Sequence, residues 1–145
     1  MDISFKKVHT GKDLAISGII IAAGIGLYFL NAGLGIFLGV CGLLMLLFYK
    51  TAFKVNGEGP LLKKEARDIA HSCRQSIKDY LDGTDVEPEI NQPGAGGVVR
   101  LEVYYNKEAG VAYAQLFDFS NYTYVKATEM VELHSPKSDK LISKL

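Results

Sequence analysis

Residues 14–49 read LAISGIIIAAGIGLYFLNAGLGIFLGVCGLLMLLFY, and these 36 positions contain no Asp, Glu, Lys, Arg or His. A single straight helix of that length would measure about 54 Å at 1.5 Å per residue. The hydrocarbon core of a bilayer is only about 30 Å thick. The block therefore needs a break, and Asn31-Ala32-Gly33-Leu34-Gly35 offers one, because Asn and Gly tolerate the conformations of a tight reversal. The reading is a two-span transmembrane hairpin over 14–49, with spans at 14–30 and 34–49 and a turn near 31–35.

The flanks orient it. Lys6, Lys7 and Lys12 precede the first span; Lys50 and Lys54 follow the second, with Lys63, Lys64 and Arg67 close behind. The turn carries no charge. The positive-inside rule then puts both termini in the cytoplasm, at the inner membrane of a bacterium. Residues 1–13 read as a basic cytosolic N-terminus. A cleaved signal peptide would also begin basic and apolar. Against it, a second apolar run follows at once, and Leu30-Asn31-Ala32-Gly33 is a weak cleavage context.

Small residues recur inside the spans. Gly18, Ala22 and Gly26 are four apart, and Gly35 and Gly39 form a GxxxG pair. Small side chains let helices in lipid approach closely. These five are the candidate helix-packing residues. They serve either the two arms themselves or a homo-oligomer built through the hairpin.

The whole chain has 145 residues, 48% hydrophobic and 22% charged, with a formal net charge of zero. Such a composition excludes a disordered chain and gives no basic excess that would point to nucleic acid. Two cysteines do not make a disulfide framework.

Beyond the hairpin, residues 50–60 read as a linker or short strand, and residues 61–145 as a small cytosolic α+β domain. Pro60 suits the first position of a helix. Leu62, Ala66, Ile69, Cys73, Ile77 and Tyr80 then recur every three or four residues, predicting one amphipathic helix over 61–81. Asp82-Gly83 supplies its stop. Residues 82–97 read as a long loop, acidic at Asp82, Asp85, Glu87 and Glu89 and glycine-rich from Gln92 to Gly97. Three alternating runs follow, 98–105, 111–119 and 122–133, the last bent near Lys126-Ala127. Short connections between them predict a three-stranded antiparallel meander packed on the helix. Residues 138–145 read as a short basic terminal helix.

The chemistry-bearing residues form no recognisable constellation. His9, His71 and His134 lack partners at metal-ligand spacing. Cys41 and Cys73 read as packing residues. Neither a GxSxG, an HExxH nor a CxxC motif occurs in the sequence. The expectation is no enzymatic activity, no cofactor and no metal. Lys63, Arg67, Arg74 and Lys78 would share one face of the expected helix, a candidate contact for anionic lipid or a partner. Aromatic residues crowd the strand region. Tyr104, Tyr113, Tyr122 and Tyr124 are the candidate partner contacts, since tyrosine is favoured at protein interfaces. Gly110-Val111-Ala112-Tyr113-Ala114 echoes part of an RNA-recognition strand but lacks its leading basic residue, so nucleic acid is not expected. The functional expectation is a membrane-anchored, non-enzymatic protein-binding or regulatory module, in contact with membrane lipids and a protein partner. The alternative makes the hairpin the active element, as an immunity-type protein or a small subunit of a membrane complex.

Overall fold

The computed structural model describes residues 3–90 and 97–145. The order along the chain is β1 (Phe5–Val8), α1 (Gly11–Tyr28), α2 (Ala32–Phe48), β2 (Ala52–Val55), β3 (Glu58–Ala70), a 3-10 turn (His71–Cys73), α3 (Arg74–Leu81), β4 (Val98–Asn106), β5 (Val111–Ser120), β6 (Thr123–Lys126), β7 (Val131–His134) and α4 (Lys137–Lys144). The class is α+β, and the strands are antiparallel in the order β1-β2-β3-β4-β5-β6, with β7 also on β5. Two compact units divide within β3: Ser4–Leu61, and a second that includes Leu62–Leu145.

In the first unit, β1 and β2 pair from Phe5↔Val55 to Val8↔Ala52. Each strand leads directly to one end of a helical hairpin. Thr10 caps α1 in a capping box: its hydroxyl accepts from the Asp13 N–H, and the Asp13 carboxylate accepts from the Thr10 N–H. That same carboxylate also accepts from the Thr51 N–H at 3.0 Å and the Thr51 hydroxyl at 2.8 Å. The start of α1 is thereby tied to the chain that follows α2, and Asp13 is buried. At the other end, the Asn31 side chain accepts from the Leu34 N–H at 3.1 Å and caps α2. Because Asn31 is a cap, the reversal occupies 29–31, and residues 32–35 are already helical.

The two helices pack antiparallel through glycine. A Cβ on Gly24 would lie 2.6 Å from the Gly39 nitrogen; one on Gly35 would lie 2.4 Å from the Tyr28 Cα; one on Gly42 would lie 2.9 Å from the Ile21 nitrogen. Ile20, Ile21, Leu27 and Leu38 are half-buried beside these contacts, and most other large apolar side chains of the pair are exposed. Phe29 is 83% exposed, Phe48 75% and Ile19 68%. Among the described residues, α1 alone is long and apolar enough to cross a membrane; α2 is a shorter apolar helix of 17 residues, so the expected second span is not shown.

In the second unit, β4 pairs with β3 from Lys63↔Tyr105 to Ala70↔Val98, and with β5 from Val99↔Asp118 to Asn106↔Val111. Both β6 and β7 pair with β5, one along each half. Side chains alternate across a strand. One face of the sheet thus carries Ile69, Val99, Leu101, Val103, Ala112, Ala114 and Leu116, and it is covered by Cys73, Ile77, Tyr80, Leu81, Leu141 and Ile142 from α3, α4 and the 3-10 turn. Alanine at 112 and 114 leaves room for the helices. The Tyr80 hydroxyl donates to the Lys137 carbonyl at 2.7 Å, joining α3 to α4.

These elements correct the expected helix over 61–81 and the one-helix, three-strand scheme. Residues 58–70 form a strand, and α3 keeps only 74–81. The cause lies upstream. Asn56 and Gly57 both have positive φ, 52° and 87°, which makes the two-residue turn that favours a hairpin. The chain returns from it as a strand along β2 and then finds β4. Isolated helices of one or two turns are weakly stable, so tertiary pairing overrides the local pattern. The 50–60 stretch, expected as a linker or short strand, holds the short strand β2, this turn and the start of β3. The third run, 122–133, is two strands, β6 and β7, separated near the expected bend. The terminal helix α4 covers the core end with Leu141 and Ile142.

The acidic half of the 82–97 loop is held within its own unit. The Lys137 ammonium donates to the Gly83 and Thr84 carbonyls and pairs with Asp85 at 3.2 Å; Lys144 pairs with Glu87 at 3.2 Å. Pro88 is buried beneath it. The glycine-rich half, from Gln92 to Gly96, lies outside the described residues.

Candidate interaction surfaces

The face of the sheet opposite α3 and α4 is built from the even-numbered residues of β3 and β4 and the odd-numbered residues of β5. It is neither an apolar core nor a simple charged surface. Arg100 donates to the Asp68 carboxylate at 3.0 Å, and its guanidinium lies 3.9 Å above the Tyr124 ring. Tyr124 packs edge-tilted on Phe119, with ring centres 5.1 Å apart. Lys64 pairs with Glu102 at 3.0 Å and lies over the Tyr104 ring at 5.2 Å. Tyr113 donates to Glu132 at 3.1 Å. Asp68, Arg100, Lys64, Glu102 and Glu132 are thus all engaged with partners.

The electrostatics follow from that pairing. For Lys64, burial lowers the pKa, but the Glu102 and Tyr104 bonds outweigh it, so the ammonium is held above its ordinary value. Tyr113 is pushed up, first by burial and then by the Glu132 carboxylate. At the sheet's other side, Arg74 makes a two-point bond to Asp118 at 2.7 and 2.8 Å. That bond holds the Asp118 carboxyl below its usual range, against the opposing effect of burial.

The four candidate tyrosines are placed differently. Tyr104 is buried, Tyr113 and Tyr124 are half-buried in the network above, and Tyr122 is 97% exposed at the β5–β6 turn. The four candidate cations do not share a helix. Lys63 and Arg67 lie on β3, where Arg67 bonds Glu65 at 3.3 Å and the Lys144 carbonyl at 3.4 Å. Arg74 and Lys78 lie on α3, Arg74 committed to Asp118. Of the five candidate packing residues, Gly35 lies against Tyr28, and the Gly39 backbone lies against Gly24. Gly18 and Gly26 have open space where a Cβ would stand, and Ala22 is exposed. They form a stripe on the outside of α1.

Sequence reasoning missed two arrangements. The Thr10–Asp13–Thr51 clamp had a readable signal in Thr10-x-x-Asp13, a capping-box pattern directly before an apolar run. The Asp68–Arg100–Tyr124 stack had none, because its members meet only through the register of β3, β4, β5 and β6. Among the described residues, no group of three or more His, Cys, Asp or Glu side chains is arranged to hold a metal ion. No protein-family model, curated protein or solved structure matches the chain.

Proposed function

We propose that this chain is a small integral membrane protein in which α1 and α2 cross the bilayer as a two-span hairpin. Its Leu62–Leu145 unit then acts at the membrane surface as a non-enzymatic protein-binding or regulatory module. The observation that carries the reading is the inverted burial of the helices. The buried positions of α1 and α2 are Asp13, Ser17, Gly24, Gly35 and Gly42, whereas none of their Ile, Leu and Phe side chains is buried and most are exposed. A helix in the core of a water-soluble protein is mostly buried; only 17% of α1 is. Burying apolar surface is worth roughly 25 cal/mol per Å², so an exposed surface of this extent calls for lipid. At 1.5 Å per residue, α2 measures about 26 Å, a mismatch that local thinning of the bilayer absorbs. Lysines flank both outer ends of the hairpin, which supports placing both termini in the cytoplasm, at the inner membrane of a bacterium.

The candidate binding surface is the ion-paired aromatic sheet face around Arg100, Tyr113 and Tyr124. Tyrosine and arginine are enriched at protein contacts. Confinement to the membrane would raise the effective concentration toward other membrane components. The test is an in-membrane cross-linking pull-down of the full chain beside a version carrying an unrelated two-span anchor. A specific protein recovered with both supports the reading, and its loss on substitution of Tyr113 and Tyr124 locates the surface. Recovery of no specific protein by either version contradicts it.

A second reading is favoured by the outward stripe Gly18, Ala22 and Gly26, which the α1–α2 contact leaves unused. There the hairpin itself would be the active element, packing on another membrane protein or on a second copy. Under that reading, a partner is lost on the anchor swap and on Gly18→Leu.

A further inference from the structure

We propose that the β5–β6 hairpin tip is a second membrane contact, inserting Phe119, Tyr122 and Val125 into the headgroup region of the bilayer that holds α1 and α2. The inference rests on the membrane reading above. Phe119 and Val125 are each 50% exposed and Tyr122 is 97% exposed. Tyr122 lies in the two-residue turn, Phe119 in the second pair from it and Val125 in the third, opposite Asp118. Phe119 and Val125 therefore project from opposite faces of the hairpin tip. Both turn residues have positive φ, 49° at Asn121 and 61° at Tyr122. Asn is common in that conformation, but a bulky aromatic side chain there is an outlier that a glycine would relieve. The turn therefore holds its most exposed ring against a local conformational preference.

Residues 119–128 read FSNYTYVKAT, with no acidic residue and one lysine, the exposed Lys126. Aromatic rings favour the headgroup level of a bilayer, and a lysine beside them is drawn to anionic lipid. Area argues for lipid over a protein partner at this tip. The three side chains offer roughly 350 Å², under half of the ~800 Å² that each side of a stable protein interface buries. An interfacial membrane contact needs no such area, because the anchor already holds the chain at the surface.

The chain contains no tryptophan, so Tyr122→Trp and, separately, Phe37→Trp each introduce a single tryptophan, which is excited selectively over the tyrosines. The full-length variants are reconstituted in vesicles of phosphatidylcholine and phosphatidylglycerol in equal amounts, with and without bromine on the acyl chains near the headgroups. Both reporters are expected to shift to shorter wavelength and to be quenched by the brominated lipid. If position 37 is quenched while position 122 emits as in water, the tip proposal is overturned and the insertion of the hairpin stands. A reporter at 122 that shifts but is not quenched means the tip is covered by protein, which also overturns it. An unquenched reporter at 37 overturns the membrane reading and the tip proposal with it.

Discussion

Replacing Gly35 by alanine tests the geometry of the helical hairpin at its tightest point. The added Cβ would stand 2.4 Å from both the Tyr28 Cα and its nitrogen, and 2.7 Å from the Gly24 carbonyl oxygen. Carbon atoms pack at about 3.5–4.0 Å, and all three neighbours are backbone, so no side chain can rotate away. The helices must separate by about 1 Å at this level, and the contacts at Gly24–Gly39 and Gly42–Ile21 loosen with it. Overpacking of this kind costs about 1–3 kcal/mol. Alanine returns about 1 kcal/mol through helix propensity, leaving a net loss of about 0–2 kcal/mol, or up to about a thirtyfold shift in the unfolding equilibrium. At Gly39 a Cβ would meet nothing within 4 Å, so Gly39→Ala keeps the propensity gain without the clash and is neutral or stabilising. Both variants are unfolded from mixed micelles of dodecyl maltoside with rising sodium dodecyl sulfate, following helical ellipticity. Equal midpoints for the two variants, or a larger loss at Gly39, would refute the packing described.

Other perturbations read different parts of the molecule. Ile77→Ala removes a fully buried side chain between α3 and the sheet and is expected to cost about 2–5 kcal/mol in chemical denaturation of the full chain. Asp118, held low by Arg74, stabilises the fold above the ordinary carboxylate range, and that contribution is lost as pH falls below about 4. Because the pair is about a third exposed, its worth is about 1 kcal/mol or less. Asp118→Asn should remove that share of the acid-side loss of stability and leave the neutral-to-alkaline side flat. Tyr122→Gly relieves a positive φ and is expected to raise stability by about 1 kcal/mol; a loss would mean the ring packs within the unit.

Much of the architecture was legible where one physical signal dominated. The uncharged run at 14–49 demanded a broken apolar helix, and Asn31 marked the break. Strict alternation at Val99, Leu101 and Val103 identified β4, and the turn at 106–110 joined it to β5. Residues 61–70 were misread because their apolar spacing of three and four suits a helix, while the decisive feature, Asn56-Gly57, acts from outside the segment. A hairpin turn commits the chain to a strand by pairing it, which spacing alone does not record. The glycines illustrate a second limit. Gly18, Ala22 and Gly26 have the more regular spacing, yet Gly24, Gly35 and Gly42 make the close contact, because the capped reversal at Asn31 sets which faces meet. The Arg100–Tyr124 stack depends on four strands in register and leaves no trace in local sequence.

Insertion of the hairpin with both of its ends on one side of a membrane is tested most directly by labelling from each side. Single cysteines are placed by Gly33→Cys in the first turn of α2, next to the reversal, and by Lys54→Cys beyond α2, in a full-length chain carrying Cys41→Ala, where the native Cys73 is buried. Oriented sealed vesicles are treated with a membrane-impermeant maleimide. The expected result is labelling of positions 33 and 54 from opposite faces, with the protein retained in the membrane after alkaline extraction. Labelling of both from one face, or release of the protein into the aqueous fraction, would contradict the two-span hairpin.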